Sequence, residues 1–367
     1  MRVLMLSKAC VVGMYQRKLE ELAAFEDVDL SVVVPPFWQD RGRVVPLERA
    51  YTSGYTLHVL PIVFNGHFHI HFYRGLNELV RQLRPHIVHI DEEAYNLAAF
   101  QAMRLAQRNG AQALFFTWQN LLRRYPYPFS FFERYNFAHA ACAIAGNREA
   151  HGVLRRKGYQ GPIHVLPQFG VDPDLYQKQP VPSERQFVIG YVGRMVEEKG
   201  VHLLLQAAAA LEGEWALRLI GDGPYLSALR ALSTELGIEQ RVHFESWKPS
   251  AEMPYHLSSL QVLVLPSLTR SNWKEQFGRV LVEAMACEVP VIGSSSGEIP
   301  FVIGDAGLVF PEGDGAALRD ALARLMKDPK LCAELGKRGR ARVLEHYTQQ
   351  RIAASTRAIY HQVLGTA

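Results

Sequence analysis

Two glutamates, Glu275 and Glu283, lie eight positions apart and bracket Phe277, Gly278, Arg279 and Val280. Carboxylates are good acceptors for sugar hydroxyl groups. A glycine at a helix start lets a ligand approach main-chain N–H groups where negative charge is favoured. If the stretch is helical throughout, the acids stand about 12 Å apart, roughly the reach from a sugar past a diphosphate to a ribose. A second constellation is Gly193-Arg194-Met195-Val196-Glu197-Glu198-Lys199-Gly200. Gly193 opens a loop, and Arg194 (a planar fork) and Lys199 (a point charge) can close on phosphate oxygens. The competing readings are an amphipathic helix with solvated acids, and surface cations paired with Glu197 and Glu198.

The elements that position these residues follow from the alternation of short apolar runs with helix-period segments, the pattern of parallel sheets covered by helices. Strands are expected at 3–6, 29–34, 56–60, 86–90, 112–116, 141–144 and 163–165, then at 186–192, 215–220, 241–244, 261–265, 290–292 and 307–309. Helices are expected near 14–26, 73–84, 94–108 and 147–157, and near 201–210, 224–236, 251–257, 277–287 and 314–327. The stretch Pro167 to Pro182 is dense in Pro and Gly and reads as a linker. This gives a first domain over 1–167, a linker over 168–185 and a second domain over 186–347. A last helix from about 348 to 364 is expected to pack back on the first domain.

A length of 367 residues suits two α/β domains, and 48% hydrophobic with 21% charged residues is a globular balance. The opening apolar run stops at Ser7-Lys8, too short for a secretory signal, and no run reaches the roughly 20 apolar residues of a membrane span. Cys10, Cys142, Cys287 and Cys332 are far apart, with no zinc or disulfide spacing, so a reducing cytoplasm is the expected compartment. A net charge of +4 suits an anionic ligand such as a nucleoside diphosphate, or loose peripheral contact with an acidic membrane. No nucleic-acid-binding signature is present.

The stretch Glu275-Gln276-Phe277-Gly278-Arg279-Val280-Leu281-Val282-Glu283 resembles the E-x7-E motif of family 4 (group 1) retaining glycosyltransferases. Gly297-Glu298-Ile299-Pro300 and Gly304-Asp305-Ala306-Gly307 extend the likeness, and Gly193-Arg194 to Lys199-Gly200 resembles the family's G-R-x-x-x-x-K-G segment. The resemblance implies a GT-B fold, α/β with two Rossmann-like domains whose parallel sheets face across a cleft. It implies that Glu275 contacts the donor sugar, Glu283 the ribose, and the backbone at Phe277, Gly278 and Arg279 the sugar and phosphates. Arg194 and Lys199 would hold the leaving diphosphate. Trp247 stands where relatives contact the base, and either stacks there or packs. Gly221-Asp222-Gly223 reads as a structural turn.

In the first domain, Gly13 stands where relatives carry a glycine pair near the donor. Relatives often carry a histidine where this chain has Gln119 and Asn120, side chains that bind hydroxyl groups but are not bases. Glu92 and Glu93 follow a strand end; Glu93 could orient an acceptor hydroxyl, whereas an acidic helix N-terminus accounts for both without catalysis. If they lay in a strand, His67, His69 and His71 would share one face, open to acceptor contact, metal or plain packing. The run Arg123 to Phe129 reads as a loop suited to a lipid surface, a glycan or solvent.

The expected function is transfer of a hexosyl group from a nucleoside-diphosphate sugar, UDP- or GDP-linked, to a hydroxyl of a glycan, lipid-linked or small-molecule acceptor, with retention implied by the resemblance. No metal or other cofactor is called for, since two cations and a helix N-terminus already oppose the diphosphate. A phosphorylase or epimerase on the same architecture, or a non-catalytic sugar-nucleotide-binding subunit, is the alternative. A nicotinamide dehydrogenase is disfavoured, because no G-x-G-x-x-G follows a strand.

Overall fold

The computed structural model describes residues 1–40, 42–181 and 186–366. The chain forms two compact units, one of Met1–Gly170 joined by the stretch from Gln349 onward, the other of Val171–Thr348. The last four positions of the expected linker, 182–185, lie outside the described residues.

Each unit is built on an all-parallel sheet. The first has seven strands in the order Ile163–Val165, Cys142–Ala145, Gln112–Thr117, Ile87–Ile90, Arg2–Leu6, Asp29–Val34, Thr56–Val59. Its central strands are apolar at nearly every position because helices cover both faces. Alternate side chains divide between two layers. Leu4, Leu6, Val88 and Ile90 pack with Leu76, Val80, Ala98 and Met103 on one face. Val3, Met5, Leu30 and Val32 pack with Leu19, Leu22, Ala353 and Tyr360 on the other. The helix Gln349–Leu364 therefore completes the first unit's core, and its buried Tyr360 hydroxyl lies 2.7 Å from His89 Nδ1.

The second sheet has six strands in the order Val242–Glu245, Trp215–Ile220, Phe187–Val192, Val262–Leu265, Val291–Ser294, Leu308–Phe310. The order turns back between the strands Phe187–Val192 and Val262–Leu265, which are direct neighbours. Ligands of open parallel sheets bind beyond the carboxyl ends of strands at such a switch point. Both candidate donor segments follow those two strands.

Three features depart from the sequence reading. An antiparallel pair, Phe37–Asp40 with Arg43–Pro46, and a second, Ile62–Val63 with Phe72–Tyr73, interrupt the first unit. The run expected as a loop to Phe129 leads directly into a helix, Phe129–His139. The three histidines lie in the turns between Ile62–Val63 and Phe72–Tyr73, so they share no strand face: His67 is exposed, His69 half-buried and His71 buried.

Candidate functional site

The turn after the strand Phe187–Val192 carries the cations. Arg194 is exposed and has no ion-pair partner among the described residues. Its carbonyl accepts from the buried Tyr191 hydroxyl at 2.7 Å, which fixes the turn from beneath. Met195 N donates to Asp222 O at 2.8 Å, so the Gly221-Asp222-Gly223 turn braces the same loop. Lys199 ends a short 3-10 helix, Glu197–Lys199, and its ammonium lies 2.6 Å from Glu275 Oε2. Glu197 pairs instead with Arg270 at 2.6 Å. The surface pairing of Lys199 with its own neighbours is thus not what forms.

Glu275 is buried, with 7% of its surface exposed, and Oε2 also accepts from the fully buried Ser267 hydroxyl at 2.9 Å. Its backbone is clasped by the turn Ser296–Glu298. Gly297 has φ +57°, and a Cβ there would stand 2.0 Å from Glu275 O, so no larger residue fits. Gly278 caps the helix Arg279–Ala286 in the left-handed region at φ +76°, with no side chain capping the first turn. That arrangement leaves the helix N-terminus suited to an anion. Within the helix, Arg279 Nε donates to Glu283 Oε1 at 2.8 Å, one turn apart. Phe277 is buried against the edge of Tyr347, with ring centroids 5.7 Å apart, and Val280 is half-buried. The carboxylate Glu283 also meets the hydroxyl of buried Tyr176, whose ionisation is pushed up by burial and by Glu283. Tyr176 escaped the sequence reading because it lies in a proline-rich stretch with no periodic signal.

The second unit thus gathers Lys199, Glu275, Ser267, Gly278, Arg279 and Glu283 around one strand-to-helix junction. Trp247, beyond the strand Val242–Glu245, is 58% exposed.

Gly13, the remaining residue of the donor set, belongs to the first unit, where its amide donates to Glu48 Oε2 at 2.6 Å. The first unit has its own polar cluster at the carboxyl ends of its strands. Glu92 is buried between Lys8 and His71, whose Nε2 is 3.6 Å away. Burial works to raise its carboxyl, but Lys8 and His71 outweigh that and hold it near 2. Glu93 accepts from Thr117 Oγ1 at 2.6 Å and from Trp118 N at 2.8 Å. Burial nevertheless pushes its carboxyl up to about 7. The following helix starts only at Leu97, with Asn96 as its cap, so neither acid is a first-turn residue as the helix-terminus reading required.

Gln119 accepts from Lys157 at 2.9 Å and donates to the Tyr125 hydroxyl at 3.2 Å. Asn120 is buried and reaches Glu149 at 3.5 Å. Tyr125 stacks on Tyr95 with centroids 4.0 Å apart, so part of the aromatic run is packed, while Tyr127 stays 80% exposed. His67 contributes its carbonyl to the turn, accepting from Ile70 N and His71 N. Among the described residues, no group of three or more His, Cys, Asp or Glu is placed to hold a metal ion. None of their helices is long and apolar enough to cross a membrane.

Two family models match the chain: glycosyl transferases group 1 over residues 173–342, and the glycosyl transferase 4-like domain over residues 13–168. Among curated proteins, it is 34% identical over 186 residues to N-acetyl-alpha-D-glucosaminyl L-malate synthase of Bacillus anthracis, covering 50% of this chain and 47% of that one. It is 32% identical over 200 residues to the GDP-mannose-dependent alpha-(1-6)-phosphatidylinositol monomannoside mannosyltransferase of Mycolicibacterium smegmatis, covering 50% and 52%. The chain thus spans about half the length of the curated relatives it matches. Among solved structures, it superposes on sucrose-phosphate synthase from Thermosynechococcus elongatus with a TM-score of 0.74 at 21% identity, covering all of both chains. On Anabaena HepE in complex with UDP the TM-score is 0.76 at 17% identity, covering 99% and 100%. These likenesses show the fold, and with the two family models they show that the chain belongs to the family 4 (group 1) glycosyltransferases of the GT-B fold.

Proposed function

We propose that the protein transfers a hexosyl group from a nucleoside-diphosphate sugar to an acceptor hydroxyl, with retention of the anomeric configuration. The observation that carries the reading is the meeting of Lys199 and Glu275 at 2.6 Å beside the Gly278 helix start. In this reading, Lys199, Arg194 and the helix N-terminus stabilise charge as it develops on the departing diphosphate. Glu275 receives the donor sugar's hydroxyl groups, while Glu283, oriented by Arg279 and Tyr176, receives those of the ribose. Trp247 offers an exposed ring to the base.

The leaving phosphate takes the acceptor proton, so Gln119 and Asn120 need only bind hydroxyl groups. Glu93, held near neutrality, can accept or return a proton around pH 7 and is the first unit's candidate for orienting the acceptor. Gly13 is kept as a donor-side residue and His67 as an acceptor-side residue of this proposal. In this reading two cations and a helix N-terminus oppose the diphosphate, and no metal is called for. The protein would act in the cytoplasm on a glycan, lipid-linked or small-molecule acceptor, with the exposed Arg123, Arg124 and Tyr127 available for peripheral membrane contact.

A thermal-shift screen against UDP-, GDP- and ADP-sugars identifies the donor, because a ligand that binds only the folded state raises its melting temperature. Proton NMR of the product made from that donor then reads the anomeric configuration. Inversion, or dependence of turnover on inorganic phosphate, contradicts the proposal.

A further inference from the structure

We infer that Trp273, which lies between the two donor segments and belongs to neither, is a positioning residue for Lys199. The inference rests on the donor-site reading above. The Lys199 ammonium lies 5.0 Å from the centroid of the Trp273 ring, within the distance at which an aromatic face attracts a cation. The same ammonium is in contact with Glu275. The two partners act differently: the carboxylate neutralises the cation, whereas the ring holds it while leaving its charge intact for a phosphate.

The ring is itself fixed relative to the turn that carries Lys199. Arg270 and Trp273 close a tight loop through two reciprocal main-chain bonds, Arg270 N to Trp273 O at 2.7 Å and Trp273 N to Arg270 O at 3.3 Å. That loop is tied to the Glu197–Lys199 turn twice, by Arg270 to Glu197 at 2.6 Å and by Leu268 N to Glu198 O at 2.8 Å. At its root, Ser267 donates to Glu275. One segment, 267–273, therefore sets both the lysine and its carboxylate partner. When a diphosphate arrives, Lys199 exchanges Glu275 for phosphate oxygen while the ring keeps the flexible four-carbon side chain in place. Without the ring, binding must also order that side chain.

The test is a double-mutant cycle read by calorimetry with UDP and GDP as probes, alongside kcat and KM once the donor is known. Trp273→Leu keeps an apolar side chain but removes the aromatic face, and is expected to weaken binding of the cognate nucleoside diphosphate by roughly 3- to 30-fold. Trp273→Phe should recover most of that loss. In a Lys199→Ala background, Trp273→Leu should add nothing. Should Trp273→Leu fail to fold, Trp273→Phe carries the same comparison, with a loss of about 2-fold that disappears when Lys199 is absent.

The inference is overturned if Trp273→Leu binds as the wild type does, or if its loss is equally large without Lys199, which would mean the ring acts on the ligand or the fold directly. Wild-type binding that Lys199→Ala weakens and Trp273→Leu leaves intact defeats this inference alone. Absence of binding by the wild type defeats the donor-site reading with it.

Discussion

Lys199 Nζ lies 2.6 Å from Glu275 Oε2 across 76 residues of sequence, joining the turn after one strand to the loop after its neighbour. Each group is a hydrogen-bond partner of the other. Under the proposed function, a donor separates them, with the lysine turning to phosphate and the glutamate to sugar hydroxyls. Lys199→Ala and Glu275→Ala should each lower kcat at least about 100-fold, the scale for losing one group that stabilises developing charge. Their circular dichroism should remain that of the wild type. Near-normal turnover in either variant removes the pair from the mechanism.

Gly278 sits at φ +76°, and a Cβ there would meet Leu265 Cδ2 at 3.0 Å. Gly278→Ala should therefore destabilise the protein by about 1–2 kcal/mol, the usual cost of a left-handed conformation for a residue with a Cβ. Urea unfolding measures this, and an unchanged midpoint would mean the turn relaxes freely.

How far the chain could be read in advance is clearest at this junction. Strands buried on both faces announce themselves as short apolar runs, which is why the run Val188–Val192 is legible, whereas the Glu275–Glu283 stretch is legible from two acids bracketing a glycine at a helix start. Their ion pair was not, because contact between segments so far apart depends on strand order, and order leaves no local signal. Residues from Phe129 to His139 failed for another reason. Five of the eleven are aromatic, a composition with no helical preference, and the helix is held by packing such as Phe132 against Phe100 at 4.7 Å. The alternating histidines misled because alternation signals a strand only where the backbone can pair. Here the backbone turns instead, with His67 O accepting from Ile70 N and His71 N.

Glu93 makes a pH prediction whose sign is fixed by its shift. Its folded carboxyl titrates near 7, above the ordinary 4.5, so the native state holds the proton more tightly than the unfolded one. Its contribution to stability is fully present below about 4.5 and is lost as pH rises through about 7. Glu93→Gln should gain stability relative to wild type across that window, read as a melting-temperature difference that grows with pH. A constant difference would show that Glu93 titrates normally.

Tyr360 anchors the last helix to the first unit through His89, whose protonation is suppressed by burial, so the hydrogen bond joins two neutral groups. Tyr360→Phe leaves a buried imidazole nitrogen without that partner and should cost about 1–3 kcal/mol in urea unfolding. A variant as stable as wild type would mean that another group or a water takes the place of the hydroxyl.

Isothermal titration of the wild-type protein with UDP and with GDP probes the diphosphate grip itself, independently of any acceptor. The account predicts saturable one-site binding of one of the two, weakened about 10-fold or more by Lys199→Ala, as expected when a charge-assisted contact is lost. Silence from both nucleotides, or equal affinity in the lysine variant, would contradict it.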